Sequence, residues 1–320
     1  MFLKIKTGGE PVFIFWVKVM YYYSLNKYLK AEFGEKVYKI SLDGGMTCPN
    51  RDGKIDTRGC IFCSKGGSGE FSASRKLSVT EQIEEAKRRI RAKTDCKKFI
   101  AYFQPFSNTY AAPDYLERIF TEAIAPEEIA ALSIATRPDC LGDEVIELLS
   151  RLNKFKPVWV ELGLQTIHES TAEYIRRGYP LKVYDDAVSH LKDAGIQVIT
   201  HVILGLPFET RDMMLQTVKY AGERSDGIKL QLLHVLRGTD LYDEYKKGVF
   251  KTLSMEEYID LICDCLEALP PNVVVHRLTG DGDKKLLVSP LWSADKKRVL
   301  NTLNSTLRQR NILQGAKYAQ

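Results

Sequence analysis

Short apolar runs and longer amphipathic runs take turns along most of this chain, and that alternation constrains the fold more than any other feature. Residues 37–42, 99–103, 131–136, 157–162, 197–203 and 228–233 read as strands, rich in Val, Ile, Leu and aromatics. The segments between them have helical spacing. Ser78 and Glu81 form a capping box ahead of Ile83, Ala86 and Ile90; helices over 114–121, 143–152, 171–176, 183–194 and 211–222 follow, and Gly195 stands at a typical left-handed helix end. Strands joined by helical crossovers pair in parallel, with the helices outside. Six such units predict an α/β fold, a partial (β/α)6 version of the eightfold TIM-like barrel, whose functional groups gather at the carboxyl ends of the strands. A helix over 255–269, a strand over 272–276 and a helix from about 294 to 312 then predict a small C-terminal α/β extension. Val299, Leu300, Leu303 and Leu307 share a helical face that packs back on the barrel. The expected divisions are 1–21, a weakly packed N-terminal extension; 22–235, the barrel; and 236–320, the extension covering it.

The loop after the first strand carries the chemistry. Cys48 is followed by Cys60 and Cys63 in the run Gly59-Cys60-Ile61-Phe62-Cys63. Three thiolates can hold three corners of a cubane iron–sulfur cluster and leave one iron open to a substrate or cofactor. A Cys-x-x-Cys pair also suits half of a structural zinc site or a redox pair. The first of the five histidines is His168, far from this loop, and the flanks lack a redox signature. Spacing alone leaves these readings open. Seven cysteines, odd in number and unevenly placed, point to a reducing compartment such as the cytoplasm rather than to a secreted disulfide scaffold. Cys96, Cys140, Cys263 and Cys265 have no spacing with the trio and read as small buried hydrophobes.

The stretch Asp43-Gly44-Gly45-Met46-Thr47-Cys48-Pro49-Asn50, followed by Cys60 and Cys63, resembles the cluster loop of the radical S-adenosylmethionine (SAM) superfamily. Its long first interval is similar to that of the Elongator catalytic subunit and of the bacterial YhcC/YtqA-type group. The resemblance runs from about Tyr22 to the C-terminus. It implies that Cys48, Cys60 and Cys63 bind a [4Fe–4S] cluster whose open iron takes SAM, and that one electron, from a donor such as flavodoxin or ferredoxin, generates a 5′-deoxyadenosyl radical. Ser107, Asn108 and Thr109 stand where the family has a glycine-rich segment meeting the methionine amino group. Glu161 and Gln165 match the cofactor-lining strand, and Arg177 matches an arginine facing the cofactor carboxylate. By the same resemblance the turn at Gly205 approaches the adenine, and His201 the ribose. A Glu inside an apolar strand is costly to bury alone, so Glu161 expects a partner, Arg137 or Arg177 if not the cofactor. Strand alternation puts Lys229 and Gln231 on one face, the substrate side if that face is interior. Asp281, Asp283, Lys284 and Lys285 offer a polar loop over the open side.

The resemblance implies tRNA wobble uridine as substrate. A net charge of +5, with basic runs at Lys87, Arg88, Arg89, Arg91 and Lys93 and at Lys296, Lys297, Arg298, Arg308 and Arg310, admits RNA without requiring it. The alternatives are a radical SAM enzyme of a small metabolite and a non-catalytic zinc or iron–sulfur RNA-binding module. No stretch resembles the Elongator acetyltransferase domain, so acetyl-CoA chemistry is not implied. The apolar run 11–23 is too short and too interrupted by Lys18 to span a membrane, so no membrane partner is expected. The family-like pattern Tyr23-Ser24-Leu25-Asn26-Lys27-Tyr28-Leu29 begins just after Met20, which predicts that translation starts there rather than at Met1.

Overall fold

Parallel strands covered on both faces need near-continuous apolar sequence, and the strands of this chain supply it. A computed structural model describes residues 20–318 apart from 68, 70, 71 and 281, together with the antiparallel pairing of Lys4–Ile5 with Val12–Phe13. The rest of 1–19 lies outside the described residues, and with it the expected weak packing there. The sheet is formed by β1 (Val37–Leu42), β2 (Lys98–Phe103), β3 (Ile129–Thr136), β4 (Val158–Gln165), β5 (Gln197–Leu204), β6 (Gly227–Leu232) and β7 (Val274–Arg277). All pairs are parallel, in the spatial order β7-β6-β5-β4-β3-β2-β1. The strands thus run in chain order across an open half-barrel. The sequence reading counted six strands; β7, expected in the C-terminal extension, joins the sheet as the seventh. Gly227 makes room for it, since a Cβ there would lie 2.6 Å from the His276 imidazole.

Helices α2 (Val79–Arg91), α3 (Pro113–Ile124), α4 (Asp143–Asn153), α6 (Leu181–Asp193), α7 (Arg211–Arg224) and α9 (Met255–Ala268) cover the outer face, and the short helices α5 (Glu169–Tyr174) and α8 (Asp240–Lys246) follow β4 and β6 in the chain. The capping box at Ser78 and Glu81 forms, and Gly195 adopts φ 71° after α6. The outer core interleaves residues such as Phe99, Phe103, Leu132, Val160, Val198 and Leu230 with helix residues such as Ile83, Phe120, Leu149 and Leu191. A short helix, α1 (Leu25–Phe33), lies across the gap between the two edge strands. Val275 N donates to Tyr23 O at 2.8 Å just before it, and its Leu29 packs with Val37, Ile100, Ala131, Trp159 and Ile199. That apolar group plugs the amino end of the half-barrel. The last helix, α10 (Lys296–Gln309), buries Val299, Leu303 and Leu307, while Leu300 remains exposed. No helix among the described residues is long and apolar enough to cross a membrane.

Candidate active site

Above the apolar plug, strand alternation turns alternate side chains of every strand inward, and their character changes. The next layer is polar: Lys39 from β1, Tyr102 from β2, Ser133 from β3, Glu161 from β4, His201 from β5 and Lys229 from β6. Glu161 is wholly buried at its centre. Its Oε1 accepts from Lys39 Nζ at 2.5 Å and from Ser133 Oγ at 2.7 Å. Its Oε2 accepts from Lys229 Nζ and, at 2.7 Å, from His201 Nε2. Burial by itself raises a carboxyl pKa, but the Lys229 and Lys39 ammonium groups outweigh it and hold Glu161 well below the usual range. The partners expected at Arg137 or Arg177 are therefore replaced by two lysines and a histidine. Burial, reinforced by the Lys229 charge, lowers His201 to about 4, so the ring is neutral and donates its Nε2 hydrogen. Lys229, 4% exposed, is lowered to about 7, first by burial and then, against the pull of Glu161, by the charges of Lys39 and Arg277. The Tyr102 ring lies 4.7 Å from the Lys39 ammonium and 4.6 Å from that of Lys229.

The carboxyl rim carries the cysteines. Cys48, Cys60 and Cys63 all line one open cleft, together with Arg51, Ser107, Arg137, Gln165, Tyr179, Lys229 and Gln231. The cleft opens to solvent and holds a cavity of about 230 Å³. The loop is held from several sides. Asn50 Nδ2 donates to Arg176 O at 2.7 Å and to Cys60 Sγ at 3.5 Å. Arg51 Nη2 donates to the carbonyls of Cys63 and Ser64 at 2.9 and 2.6 Å, and Ile61 N to Ile175 O at 3.1 Å. Burial raises the Cys60 thiol and pushes Cys63 up to about 12, so both are neutral until a metal displaces the proton. Among the described residues no three His, Cys, Asp or Glu side chains converge as around one metal ion. A cubane holds its thiolates at separate corners, farther apart than the ligands of a single ion, and three thiols spread around one cleft suit it.

The other predicted residues separate into two groups. Ser107 and Gln165 line the cleft, and Ser107 Oγ and Gln165 Oε1 are buried with no protein partner. Gln165 sits at φ 68° where the β4–β5 register slips between Gly163 and Gln165, a bulge that re-aims the side chain. A Cβ on Gly163 would come within 2.8 Å of Gln165 Nε2. Asn108 and Thr109 do not line the cleft: Asn108 Nδ2 donates to Ala135 O at 2.8 Å, while its Oδ1 is buried without a partner, and Thr109 Oγ1 donates to Cys140 O at 2.6 Å. Arg177, 2% exposed, borders the cleft but donates to Tyr179 O at 2.9 Å, to Thr166 O at 2.6 Å and to Glu169 at 3.2 Å. Gly205, at φ 87°, donates its N–H to Met214 Sδ and packs on Leu253. Of the polar loop, Asp281 lies outside the described residues, and Asp283 accepts from Lys285 N at 2.9 Å. Cys96, Cys140, Cys263 and Cys265 are buried. The sequence reading did not single out Lys39, Tyr102, Arg51 or Arg277. A lysine two positions after Val37 in an apolar strand was the available signal for Lys39.

A parallel half-barrel with a thiol-bearing loop on its carboxyl rim is the frame of a metal-dependent enzyme, and the comparisons say which kind. Residues 57–221 match the Radical SAM superfamily and residues 225–309 the Radical_SAM C-terminal domain, so the chain belongs to the radical SAM superfamily. It is 45% identical to YtqA of Bacillus subtilis over 92% of both chains, and 32% identical to YhcC of Escherichia coli over 89% of this chain and 91% of that one. It is also 32% identical to the tRNA uridine(34) acetyltransferase of Methanocaldococcus jannaschii, over 49% of this chain and 29% of that protein. The Methanocaldococcus infernus Elp3 structure shares the fold, with a TM-score of 0.65 at 19% identity, covering 87% of this chain and 64% of that one.

Proposed function

We propose that this radical SAM enzyme modifies a uridine of tRNA, with Cys48, Cys60 and Cys63 holding a [4Fe–4S] cluster at the rim and SAM bound beside it. The observation that carries the cofactor reading is the rim itself: three thiols on one cleft, faced by the unpartnered buried Ser107 Oγ and Gln165 Oε1. The bound cluster and cofactor supply radical chemistry that abstracts a hydrogen from substrate. The chain's own residues do the holding. Asn50 and Arg51 fix the cysteine loop, and Asn108 and Thr109 fix the turn that presents Ser107. Arg177 clamps the carbonyls beyond β4, so the Gln165 bulge keeps its aim, and the Gly205 turn bounds the neighbouring strand end. His201 and Lys229 orient Glu161 below the cofactor, and Lys229 and Gln231 face the substrate side. The tRNA reading is supported by the similarity to the uridine(34) acetyltransferase. Nucleoside analysis of tRNA from a deletion strain tests it: a wobble-uridine modification lost and restored by the gene supports it, and an unchanged nucleoside profile contradicts it.

One observation favours the second reading, a small-metabolite substrate. Three cations of the basic run at α2 are paired within the chain: Lys87 with Glu84 and Glu128 at 2.7 and 2.5 Å, Arg91 with Glu128 at 2.6 Å, and Arg89 with Glu85. That face offers RNA less charge than its sequence suggests. Metabolite profiling of the same strain separates the two readings.

A further inference from the structure

Charge is shared unevenly along this chain. It carries 46 Lys and Arg against 41 Asp and Glu, yet residues 296–320 hold six of the cations and none of the acids. The remainder carries 40 cations against 41 acids, so the whole positive excess lies in that last stretch. Most of it forms α10, which buries Val299, Leu303 and Leu307 on one side. Spacing sets the other side. Lys297, Asn301, Asn304 and Arg308 follow at intervals of four, three and four, so they stand in one row along the helix. All four are exposed, and exposed Arg298 and Ser305 flank them. At 1.5 Å per residue the row is roughly 16 Å long.

The fold does not use these cations. On α2, Lys87, Arg89 and Arg91 meet carboxylates, whereas Lys297, Arg298 and Arg308 make no ion pair among the described residues. Three carboxylates of α9, which packs against α10, are engaged elsewhere: Asp260 with Arg310 at 2.8 Å, Asp264 with Arg211 and Glu267 with Lys317 at 2.6 Å. Asp295 caps the helix, accepting from Arg298 N at 3.0 Å. A row of Lys, Arg, Asn and Ser donors suits a polyanion whose charges repeat, a nucleic-acid backbone, better than one small anion. The row also leads to the site. Just before α10, Leu287–Ser289 pairs with Val235–Leu236, and Leu236 lines the cysteine cleft. Trp292 Nε1 donates to Leu253 O at 3.1 Å, and Leu253 packs on the Gly205 turn at the rim. Past the other end of α10, Gln314 Oε1 accepts from Tyr23 N at 2.8 Å, beside the amino-end plug. A strand lying along the row therefore reaches the rim at Lys297.

We propose that the outer face of α10 is a docking surface for an RNA backbone, with Lys297, Arg298 and Arg308 on phosphates and Asn301, Asn304 and Ser305 on phosphate or ribose oxygens. This rests on the tRNA reading of the function and says where the tRNA lies. The full chain is titrated into a fluorescently labelled tRNA transcript, and anisotropy is followed over a series of salt concentrations. Lys297→Gln and Arg308→Gln are each expected to lower the slope of log affinity against log salt by about one, and the double variant by about two. Both positions are exposed, so thermal unfolding should be unchanged. Asn304→Asp, which sets a negative charge in the middle of the row, should also weaken binding. Wild-type binding that the double variant leaves unchanged in affinity and slope overturns the docking surface and leaves the tRNA reading standing. Absence of wild-type binding at low salt overturns both. A second arm uses phosphatidylglycerol vesicles: if the double variant loses these but keeps the tRNA, the face serves a membrane surface and the proposal fails.

Discussion

The rim and the polar layer beneath it are built on the same half-barrel and differ in whether the chain completes them. At the rim, Ser107 Oγ and Gln165 Oε1 are buried without partners, and the Cys60 and Cys63 thiols are held neutral by burial. One layer down, Glu161 is saturated by four donors drawn from four strands. On the proposed function the rim is finished by the cofactor it binds, whereas the Glu161 carboxylate is finished by the fold. A change at the rim should remove function and leave the fold; a change at Glu161 should reach the fold first.

Substitutions can break that contrast. The largest effect is expected for Cys60→Ala: loss of iron after anaerobic reconstitution, with thermal stability of the iron-free protein nearly unchanged. Unfolding on a par with core variants would erase the distinction. Glu161→Ala strands Lys39 and Lys229 without their counter-charge and should cost ~3–5 kcal/mol in denaturant unfolding. Glu161→Gln keeps the shape and shows what the charge alone contributes. A loss under about 1 kcal/mol for the alanine variant would mean that water enters and screens the layer.

Acid–base linkage sharpens the comparison at smaller magnitude. Lys229 is lowered to about 7 from 10.5 and His201 to about 4 from 6.5. Both are cationic acids that the fold disfavours, so the unfolded chain binds more protons in each window. Stability should therefore rise with pH from about 4 to 6.5 through His201 and from about 7 to 10.5 through Lys229. Lys229→Met should flatten the upper window, whose slope is at most about 1.4 kcal/mol per pH unit for one proton. An unchanged slope would show that Lys229 stays protonated in the fold. The smallest effect is expected on α2, where Arg89→Ala removes a charge already paired with Glu85. The salt dependence of tRNA binding should stay as it was; a slope reduced by about one would place that face on the RNA.

How much of this was legible in the sequence depended on whether the information was local. Periodicity exposed the half-barrel because every strand carries its own pattern, whereas the cysteine spacing left cluster, zinc and redox readings open and only the resemblance of the surrounding loop chose among them. Lys229 and Gln231 were readable as a pair because alternation within one strand puts them on one face. β7 was read as a strand but assigned to the extension, since nothing local says that 274–277 aligns with Gly227. The partners of Glu161 were not legible either: Lys39 is 122 residues away and Lys229 is 68, and only the register of β1, β4 and β6 brings them together. Asn108 and Thr109 show the limit within one turn. Ser107 lines the cleft while the next two residues tie the turn to Ala135 and Cys140, a difference set by the turn's backbone and not by residue type. The α2 run misled in the opposite way, because Glu128, which neutralises two of its cations, follows 37 residues later.

The most direct test of the central claim is anaerobic. The purified chain is reconstituted with iron and sulfide, given SAM and dithionite, and assayed for 5′-deoxyadenosine. The account predicts that 5′-deoxyadenosine appears and that Cys60→Ala abolishes it. A colourless, zinc-loaded protein that never cleaves SAM would contradict the account and leave Cys48, Cys60 and Cys63 as ligands of a structural metal.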